Sequence, residues 1–104
     1  MYPLGYNCIL HIEITEAYQA WQSKLKDLLI RARIQVRIER LRAGNAGHHR
    51  VLTHGVIELK LDFGAGYRIY YTQRGETLII LLVGGDKSSQ QADIKTAIEL
   101  ANNL

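Results

Sequence analysis

The segment GVIELKLDFGAGYRIYYTQRGETLIILLV, residues 55–83, decides the fold, because its apolar residues recur with a period of two. Such alternation is typical of a half-buried β-strand. The segment is interrupted at GAG and at QRGE, where glycines favour tight turns. We therefore expect three consecutive antiparallel strands. The last of them, TLIILLV, has no polar face, which indicates a central strand covered on both sides or nearly so.

The first two of these strands divide their side chains between two faces of the sheet. One face would be apolar and would carry Ile57, Leu59, Leu61, Ile69 and Tyr71. The opposite face would be polar and would carry Glu58, Lys60, Asp62, Arg68 and Tyr70. A meander that is buried on one side normally leaves a polar face in solvent. We therefore expect this second face to be open.

The chain before this segment predicts a strand followed by two helices. In NCILHIEIT, residues 7–15, one side of a strand would carry Cys8, Leu10, Ile12 and Ile14. Thr15 is a predicted helix N-cap, and apolar residues then recur at helical spacing as far as Leu41. We place the break between the two helices near residues 26–29. The pair is expected to form a helical hairpin over the apolar sheet face.

The chain after residue 83 predicts a turn and a closing helix. In GGDKSSQ, residues 84–90, Gly84 and Gly85 would end the central strand, and Ser88 with Gln91 has the form of a capping box. Lys87 would then point at the rim of the polar sheet face. Together the elements predict an α+β fold: a mostly antiparallel twisted sheet with an N-terminal helical hairpin on one face and a C-terminal helix.

The composition limits the class of protein. The chain has 104 residues, which suits one domain spanning residues 1–104. Its single cysteine excludes an internal disulfide, and no stretch approaches the ~20 apolar residues of a membrane span. The N-terminus, MYPLGYN, lacks the pattern of a signal peptide. We expect a cytoplasmic protein with no membrane partner.

Positive charge is concentrated in one stretch of the chain. The net charge is +3, yet the stretch from Lys24 to Arg50 contains eight basic and two acidic residues, a local charge of +6. A basic stripe attracts polyanions through phosphate contacts. A solvated helix face explains the same arginines equally well, because arginine is a good helix former. Composition alone leaves both interpretations open.

Three histidines, His48, His49 and His54, lie in one glycine-flanked segment. The segment contains no cysteine or carboxylate, and the chain has no HExxH motif. Solvent exposure or contact with RNA explains these histidines better than metal binding does. We therefore expect neither a metal nor another cofactor.

Three segments resemble the phage-derived addiction-module killer proteins, Gp49-like or HigB-like, of the RelE/ParE toxin superfamily. They are RARIQVRIERLRAGNAG, GVIELKLDFGAGYRIYY and LLVGGDKSSQQADI, and the resemblance runs from about Trp21 to the C-terminus. It implies a RelE/ParE-like fold and the toxin of a type II toxin–antitoxin module. The implied partner is an antitoxin, often one with a helix-turn-helix domain. RelE-like members cleave mRNA on the ribosome, whereas ParE-like members poison DNA gyrase.

The resemblance also implies site residues. Lys60, Arg68 and Lys87 match basic positions of the RelE-like pattern and are the predicted catalytic residues. Arg68 would clamp the phosphate, because a guanidinium is planar and bidentate. Lys60 would carry a proton or stabilise charge, and Lys87 would hold phosphate with the help of the adjacent glycine backbone. The predicted RNA-binding residues are Arg33, Arg37, Arg40 and Tyr70.

The C-terminal segment departs from the RNA-cleaving relatives, which often carry a tyrosine there. SSQQADIKTAIEL, residues 88–100, contains none. Either Tyr70 acts in its place, or the activity is weaker, differently organised or absent. Three interpretations stay open: a ribosome-dependent mRNA endoribonuclease, a non-catalytic poison of a protein such as gyrase, and an inactive prophage remnant. The oligomeric state is not indicated.

Overall fold

The structure is a computed structural model that describes residues 9–104. Its strands are β1 (His11–Ile14), β2 (His49–Val51), β3 (Val56–Lys60), β4 (Arg68–Arg74) and β5 (Leu78–Gly85). Its helices are α1 (Glu16–Ser23), α2 (Leu28–Arg42) and α3 (Gln90–Asn102), with a 3₁₀ turn at Lys87–Ser89. The predicted position of Cys8 in the first strand lies outside the described residues. No helix within residues 9–104 is long and apolar enough to cross a membrane.

The five strands form one mixed sheet in the order β1-β5-β4-β3-β2. β3, β4 and β5 are antiparallel neighbours, as the alternating segment predicted, while β1 pairs in parallel with β5. β5 therefore has a strand on either side, which agrees with its lack of a polar face. β2 was not expected from the sequence. Its three residues are all exposed, and so short an exposed strand has no hydrophobic period to read.

The predicted apolar face of the sheet is confirmed. Leu59, Leu61 and Ile69 are fully buried, in a core cluster that includes residues of both α1 and α2. The helices contribute Tyr18, Ile34, Ile38 and Leu41 to this cluster. The two helices therefore bury the same sheet face, and their arrangement as a hairpin stays a prediction.

The break between α1 and α2 is set by Asp27, the N-cap of α2. Its carboxylate accepts hydrogen bonds from the backbone N–H groups of Leu29 at 2.9 Å and Ile30 at 3.4 Å. A cap of this kind satisfies N–H groups that have no partner inside the helix. The observed break, residues 24–27, overlaps the one predicted near residues 26–29, and Asp27 determines where α2 begins.

The opposite face of the sheet is covered, and the expectation of an open face was wrong. α3 packs there through Ala97 and Ala101, in a second core cluster that contains Val56, Tyr70, Leu82 and Val83. Glu58 and Tyr70 have no exposed surface. The physical reason is that β5 presents apolar side chains on both faces, so both faces need cover.

Gly84 and Gly85 are the last two residues of β5, so the strand ends at these glycines as predicted. A Cβ atom on Gly84 would overlap the indole ring of Trp21 from α1, and one on Gly85 would overlap the carboxylate of Asp93 from α3. Each glycine therefore lets a helix side chain lie directly on the strand backbone. The turn predicted around Gly75 is confirmed, because its φ of 64° lies in the left-handed region that glycine adopts readily.

The closing helical segment is capped by Asp86, and the predicted Ser88–Gln91 capping box was wrong. The Asp86 carboxylate accepts hydrogen bonds from the backbone N–H groups of Ser88 at 2.8 Å and Ser89 at 3.3 Å. The Ser89 hydroxyl accepts from the Asp86 N–H in return, which completes a capping box. The Ser88 hydroxyl also donates to the carboxylate, and this bond is the main cause of the lowered pKa of Asp86.

Candidate functional site

Lys60, Arg68 and Lys87 meet at one end of the sheet, on the side where α3 begins. Lys60 pairs with Arg68 across β3 and β4, and Arg68 pairs with Gly85 across β4 and β5. Directly paired residues of antiparallel strands project from the same face, with Cβ atoms about 4.5–5.5 Å apart. The strand register alone therefore brings Lys60 beside Arg68.

Gly66 brings Lys87 to the same place. Arg68 Nη1 donates to the Gly66 carbonyl at 3.0 Å, and the Lys87 N–H donates to the Ala65 carbonyl at 3.2 Å. A Cβ added to Gly66 would lie 3.3 Å from Lys87 Cβ and 3.6 Å from Arg68 Nη1. Gly66 therefore lies close to both the Lys87 side chain and the Arg68 guanidinium. We call Lys60, Arg68 and Lys87 the basic cluster.

A buried carboxylate, Glu58, adjoins the basic cluster. Its side chain is 0% exposed, and its Oε2 accepts hydrogen bonds from the Tyr70 hydroxyl at 3.0 Å and from Gln90 Nε2 at 2.9 Å. The same oxygen lies 3.8 Å from Arg68 Nε, and Oε1 lies 3.2 Å from Arg50 Nη2. A buried charge requires partners of this kind. Glu58 therefore forms an ion pair with Arg68, whose side chain is only 13% exposed and is also hydrogen-bonded to the Gly66 carbonyl.

Tyr70 belongs to this buried network, so its ring is not accessible to an RNA base. Burial is the main cause that raises the pKa of the Tyr70 phenol, and the hydrogen bond to Glu58 adds to it. The phenol therefore stays protonated and serves as a donor to Glu58. The predicted RNA-binding role does not fit this position, because α3 covers the face from which Tyr70 projects.

His48 and Asp62 extend the site beyond the residues that the sequence indicated. The His48 carbonyl accepts from the Lys60 N–H at 2.9 Å, which places His48 opposite Lys60 at the end of β2. His48 Nδ1 lies 2.8 Å from Asp62 Oδ2. The hydrogen bond from His48 is the main cause that lowers the pKa of Asp62, and the charges of Arg68 and Arg37 act in the same direction. Only the register of β2 reveals this pair.

Arg37 ties these strand ends to α2, and its guanidinium is already engaged. Nη1 donates to the Lys60 carbonyl at 2.6 Å, while Nη2 donates to the carbonyls of Ala46 and His48 at 2.9 and 3.1 Å. Burial is the main cause that lowers the pKa of Arg37, and the charge of Arg40 contributes. The predicted RNA-binding role of Arg37 stays a prediction, and these contacts occupy both terminal nitrogens of its guanidinium. They make Arg37 a positioning residue for the sheet end.

The other two predicted RNA-binding arginines are exposed on α2. Arg33 lies over the ring of Phe63, with its Cζ 5.2 Å from the ring centroid, which is a cation–π contact. Arg40 follows Arg37 by three residues and is exposed to solvent. Both side chains are therefore accessible to a polyanion or to an acidic protein segment.

The three histidines of the glycine-flanked segment do not converge. His49 Nδ1 bonds the Gly47 carbonyl at 2.7 Å, and His54 Nδ1 lies 3.0 Å from the Thr53 hydroxyl, whereas His48 is bonded to Asp62. Within residues 9–104, no group of three or more His, Cys, Asp or Glu side chains is arranged to hold a metal ion.

Comparison with known proteins identifies the family. A Haemophilus influenzae protein named "Uncharacterized protein" is 45% identical over 95 residues, which cover 91% of this chain and 96% of the relative. No solved structure matches the chain. A family model described as phage-derived protein Gp49-like (DUF891) matches residues 20–104, which include the whole basic cluster, Glu58 and the His48–Asp62 pair. The chain therefore belongs to the phage-derived Gp49-like family.

Proposed function

We propose that this protein is the toxin of a type II toxin–antitoxin module and that it cleaves mRNA on the ribosome. Membership of the phage-derived Gp49-like family supports the first part. The observation that carries the second part is the basic cluster, in which Lys60, Arg68 and Lys87 converge from three separate places in the chain. A polyanion is the natural ligand of such a cluster.

The proposed reaction begins with attack of a ribose 2′-OH on the adjacent phosphate. Negative charge grows on the phosphate oxygens in the transition state, and a proton must reach the leaving 5′ oxygen. Arg68 suits the phosphate, because Glu58 and the Gly66 carbonyl hold its guanidinium before substrate binds. Lys60 and Lys87 add positive charge, and either ammonium is a proton donor for the leaving oxygen.

No tyrosine takes part in the proposed reaction. α3, Gln90–Asn102, contains none, and Tyr70 is buried beneath it. This absence supports a second candidate, a non-catalytic ParE-like poison of DNA gyrase, and a third, an inactive prophage-derived remnant. Transcript mapping and a gyrase supercoiling assay with the purified protein separate the three candidates.

The proposed partners are mRNA, the ribosome and a cognate antitoxin with a helix-turn-helix domain. Arg33 and Arg40 are exposed on α2, where an acidic antitoxin segment would meet them. Screening shortens the reach of charge to about 8 Å near physiological ionic strength, so association should slow as salt rises. The double variant Arg33→Glu with Arg40→Glu leaves the Arg37 contacts in place. Binding that is indifferent to salt and to this variant would exclude α2 as the docking surface.

Induced expression followed by transcript mapping on ribosomes tests the ribonuclease proposal. The wild type is expected to halt translation and to yield cut transcripts. Arg68→Lys keeps a positive charge beside Glu58 but loses the planar bidentate geometry. It is a better variant than Arg68→Ala, which leaves the buried Glu58 with one partner fewer. Arg42→Lys, exposed at the end of α2, is the matched control.

Arg68→Lys and Arg42→Lys should differ clearly in toxicity. Loss of one preorganised electrostatic contact costs about 10²–10³ in rate, so Arg68→Lys should relieve growth arrest while Arg42→Lys stays toxic. Circular dichroism verifies that each variant is folded. A folded Arg68→Lys protein that cuts transcripts as the wild type does would contradict the proposal. A wild type that leaves transcripts intact but inhibits supercoiling would favour the gyrase candidate.

A further inference from the structure

We propose that His48, oriented by Asp62, is the general base that removes the 2′-OH proton. This inference rests on the RNA cleavage proposed above and names the group that was left open there. The three residues of the basic cluster are cations at neutral pH, and a cation accepts no proton until it has lost one. Histidine is the side chain that ordinarily changes charge between about pH 5 and 8, which suits a base in the cytoplasm.

Contacts from two neighbouring elements fix the position of His48. Its carbonyl accepts from the Lys60 N–H at 2.9 Å and from Arg37 Nη2 at 3.1 Å, so β3 and α2 both hold its backbone. Its Nδ1 lies 2.8 Å from Asp62 Oδ2. When Nδ1–H donates to the carboxylate, Nε2 carries the lone pair. A catalytic histidine is oriented by a carboxylate in the same way in nucleophile–base–acid triads.

The pair is accessible to a polymeric substrate. The side chains of His48 and Asp62 are 56% and 70% exposed. An exposed ion pair contributes about 1 kcal/mol of stability or less, so stability is a weak reason for its presence. The register places His48 opposite Lys60, and Lys60 opposite Arg68. The proposed base and the phosphate-binding cations therefore occupy one row across the sheet end.

Four charged groups from β3 and the residues after it, from α2 and from β4 surround His48. Asp62 follows β3 and bonds the ring, Lys60 lies opposite on β3, Arg37 reaches its carbonyl from α2, and Arg68 on β4 acts on Asp62. The Asp62 carboxylate stabilises the imidazolium that forms when His48 takes a proton.

The proposed step balances without a further reactant. The 2′ oxygen forms a bond to phosphorus while its proton passes to His48 Nε2. The bond from phosphorus to the 5′ oxygen of the next nucleotide breaks, and that oxygen takes a proton from the ammonium of Lys60 or Lys87. The products are a 2′,3′-cyclic phosphate and a 5′-hydroxyl, and exchange with water returns each side chain to its starting protonation state.

Cleavage kinetics on programmed ribosomes test the assignment. Purified full-length protein is mixed at saturating concentration with ribosomes that carry a short labelled mRNA, and the cleavage rate is measured across about pH 5–8.5. The variants are His48→Gln, Asp62→Asn and Asp62→Glu. His49→Gln is the matched control, because strand alternation places His49 on the opposite face. Urea unfolding of each variant separates effects on folding from effects on rate.

A general base contributes about 10²–10⁴ in rate, so His48→Gln should lose at least about 100-fold. The dependence of its rate on pH should also differ from that of the wild type. Asp62→Asn should lose less, and Asp62→Glu should recover most of that loss, since it restores the carboxylate. His49→Gln should match the wild type.

Two results overturn the assignment and leave the ribonuclease proposal standing. One is a folded His48→Gln protein within about twofold of the wild-type rate and with the same pH dependence. The other is an equal loss in His49→Gln, which would indicate that the local backbone and not the ring matters. A wild type that cuts no RNA on ribosomes overturns the proposed function itself.

Discussion

Glu58→Gln should destabilise the protein by about 3–5 kcal/mol, because it removes a buried negative charge from between its partners. Glu58 has no exposed surface, and glutamine has nearly the same shape, so the change leaves no cavity. Glu58→Gln changes only the charge of the side chain and its hydrogen bonding. Glu58 is also the residue that holds Arg68, so the same substitution tests whether the basic cluster depends on a buried carboxylate.

The magnitude follows from the four groups that face the carboxylate. Tyr70 and Gln90 both donate to Oε2, at 3.0 and 2.9 Å. An amide has one acceptor oxygen and presents two N–H donors instead of the second oxygen. With its oxygen in the place of Oε2, the glutamine keeps both of these bonds, but its N–H groups replace Oε1, which faces Arg50, and a buried donor without an acceptor costs about 1–3 kcal/mol. Loss of the counter-charge to Arg68, only 13% exposed, brings the total to about 3–5 kcal/mol. Arg50 is half-exposed and adds little.

Urea unfolding followed by the fluorescence of Trp21, the single tryptophan, measures this loss. With a slope of about 1–3 kcal/mol per molar urea, the midpoint should fall by at least about 1 M. Glu99→Gln is the matched control, because Glu99 is exposed on α3, and it should change stability by about 0.5 kcal/mol or less. Equal midpoints for Glu58→Gln and Glu99→Gln would refute the argument that Glu58 bears a charge its neighbours neutralise.

Three further substitutions probe the packing and the caps. In Gly84→Ala the new methyl group overlaps the ring of Trp21, so a loss of about 1–3 kcal/mol is expected. In a double-mutant cycle followed by circular dichroism, Trp21→Leu should reduce the loss of stability caused by Gly84→Ala. Strictly additive losses would contradict a contact between residues 84 and 21. Arg37→Ala removes three hydrogen bonds to carbonyls and should lower the free energy of unfolding in urea by about 2–3 kcal/mol. The exposed Arg40→Ala should lower it by about 0.5 kcal/mol or less, and equal losses would indicate that the three bonds contribute little. Asp86→Ala should cost about 1 kcal/mol at neutral pH. Because the pKa of Asp86 is lowered in the folded state, its contribution is present above the unfolded pKa of about 3.9 and disappears as the pH falls through the folded value. The two proteins should therefore converge in acid, and a constant gap in pH-dependent unfolding would contradict the cap.

The antiparallel meander was predictable because its signal is local. Alternation in residues 55–63 and 67–72 assigns each side chain to a face without knowledge of any partner strand. The break between α1 and α2 was placed approximately, and the signal that locates it is also local, since Asp27 caps α2 through the next three residues. Both features depend on neighbours in sequence, which is why the meander was placed correctly and the break to within a few residues.

The burial of Tyr70 needed a contact that sequence spacing does not encode. An alternating Glu58-Lys60 and Arg68-Tyr70 pattern has the appearance of a solvent face. The pattern is compatible with burial only because Tyr70 and Glu58 bond each other and Gln90 supplies a third partner from α3. The apolar run of β5 did carry the missing information. A strand with no polar face needs cover on both sides, and α3 was the one element left to supply it.

The His48–Asp62 pair was out of reach for a different reason. Fourteen residues separate the two side chains, and β2, which brings them together, is three exposed residues long. A histidine in a glycine-flanked segment is normally solvated, and nothing in its neighbours indicates a partner. The pairing appears only once the β2–β3 register is known, because that register sets which residues of the two strands lie opposite each other.

The start of α3 determines where the basic cluster lies. Of the residues beside that start, the sequence indicated only Lys87 as part of the site. Along β3 the burial falls from Val56 and Glu58, which are fully covered, to Lys60, which is partly exposed. The same change occurs on β4 between the buried Tyr70 and the partly exposed Arg68. The cover ends where Gln90 reaches Glu58 and where Asp93 lies over Gly85. Along this edge Arg68 can therefore pair with a buried carboxylate while Lys60 and Arg68 remain partly exposed. Any change that moves the first turn of α3 should alter the basic cluster as well.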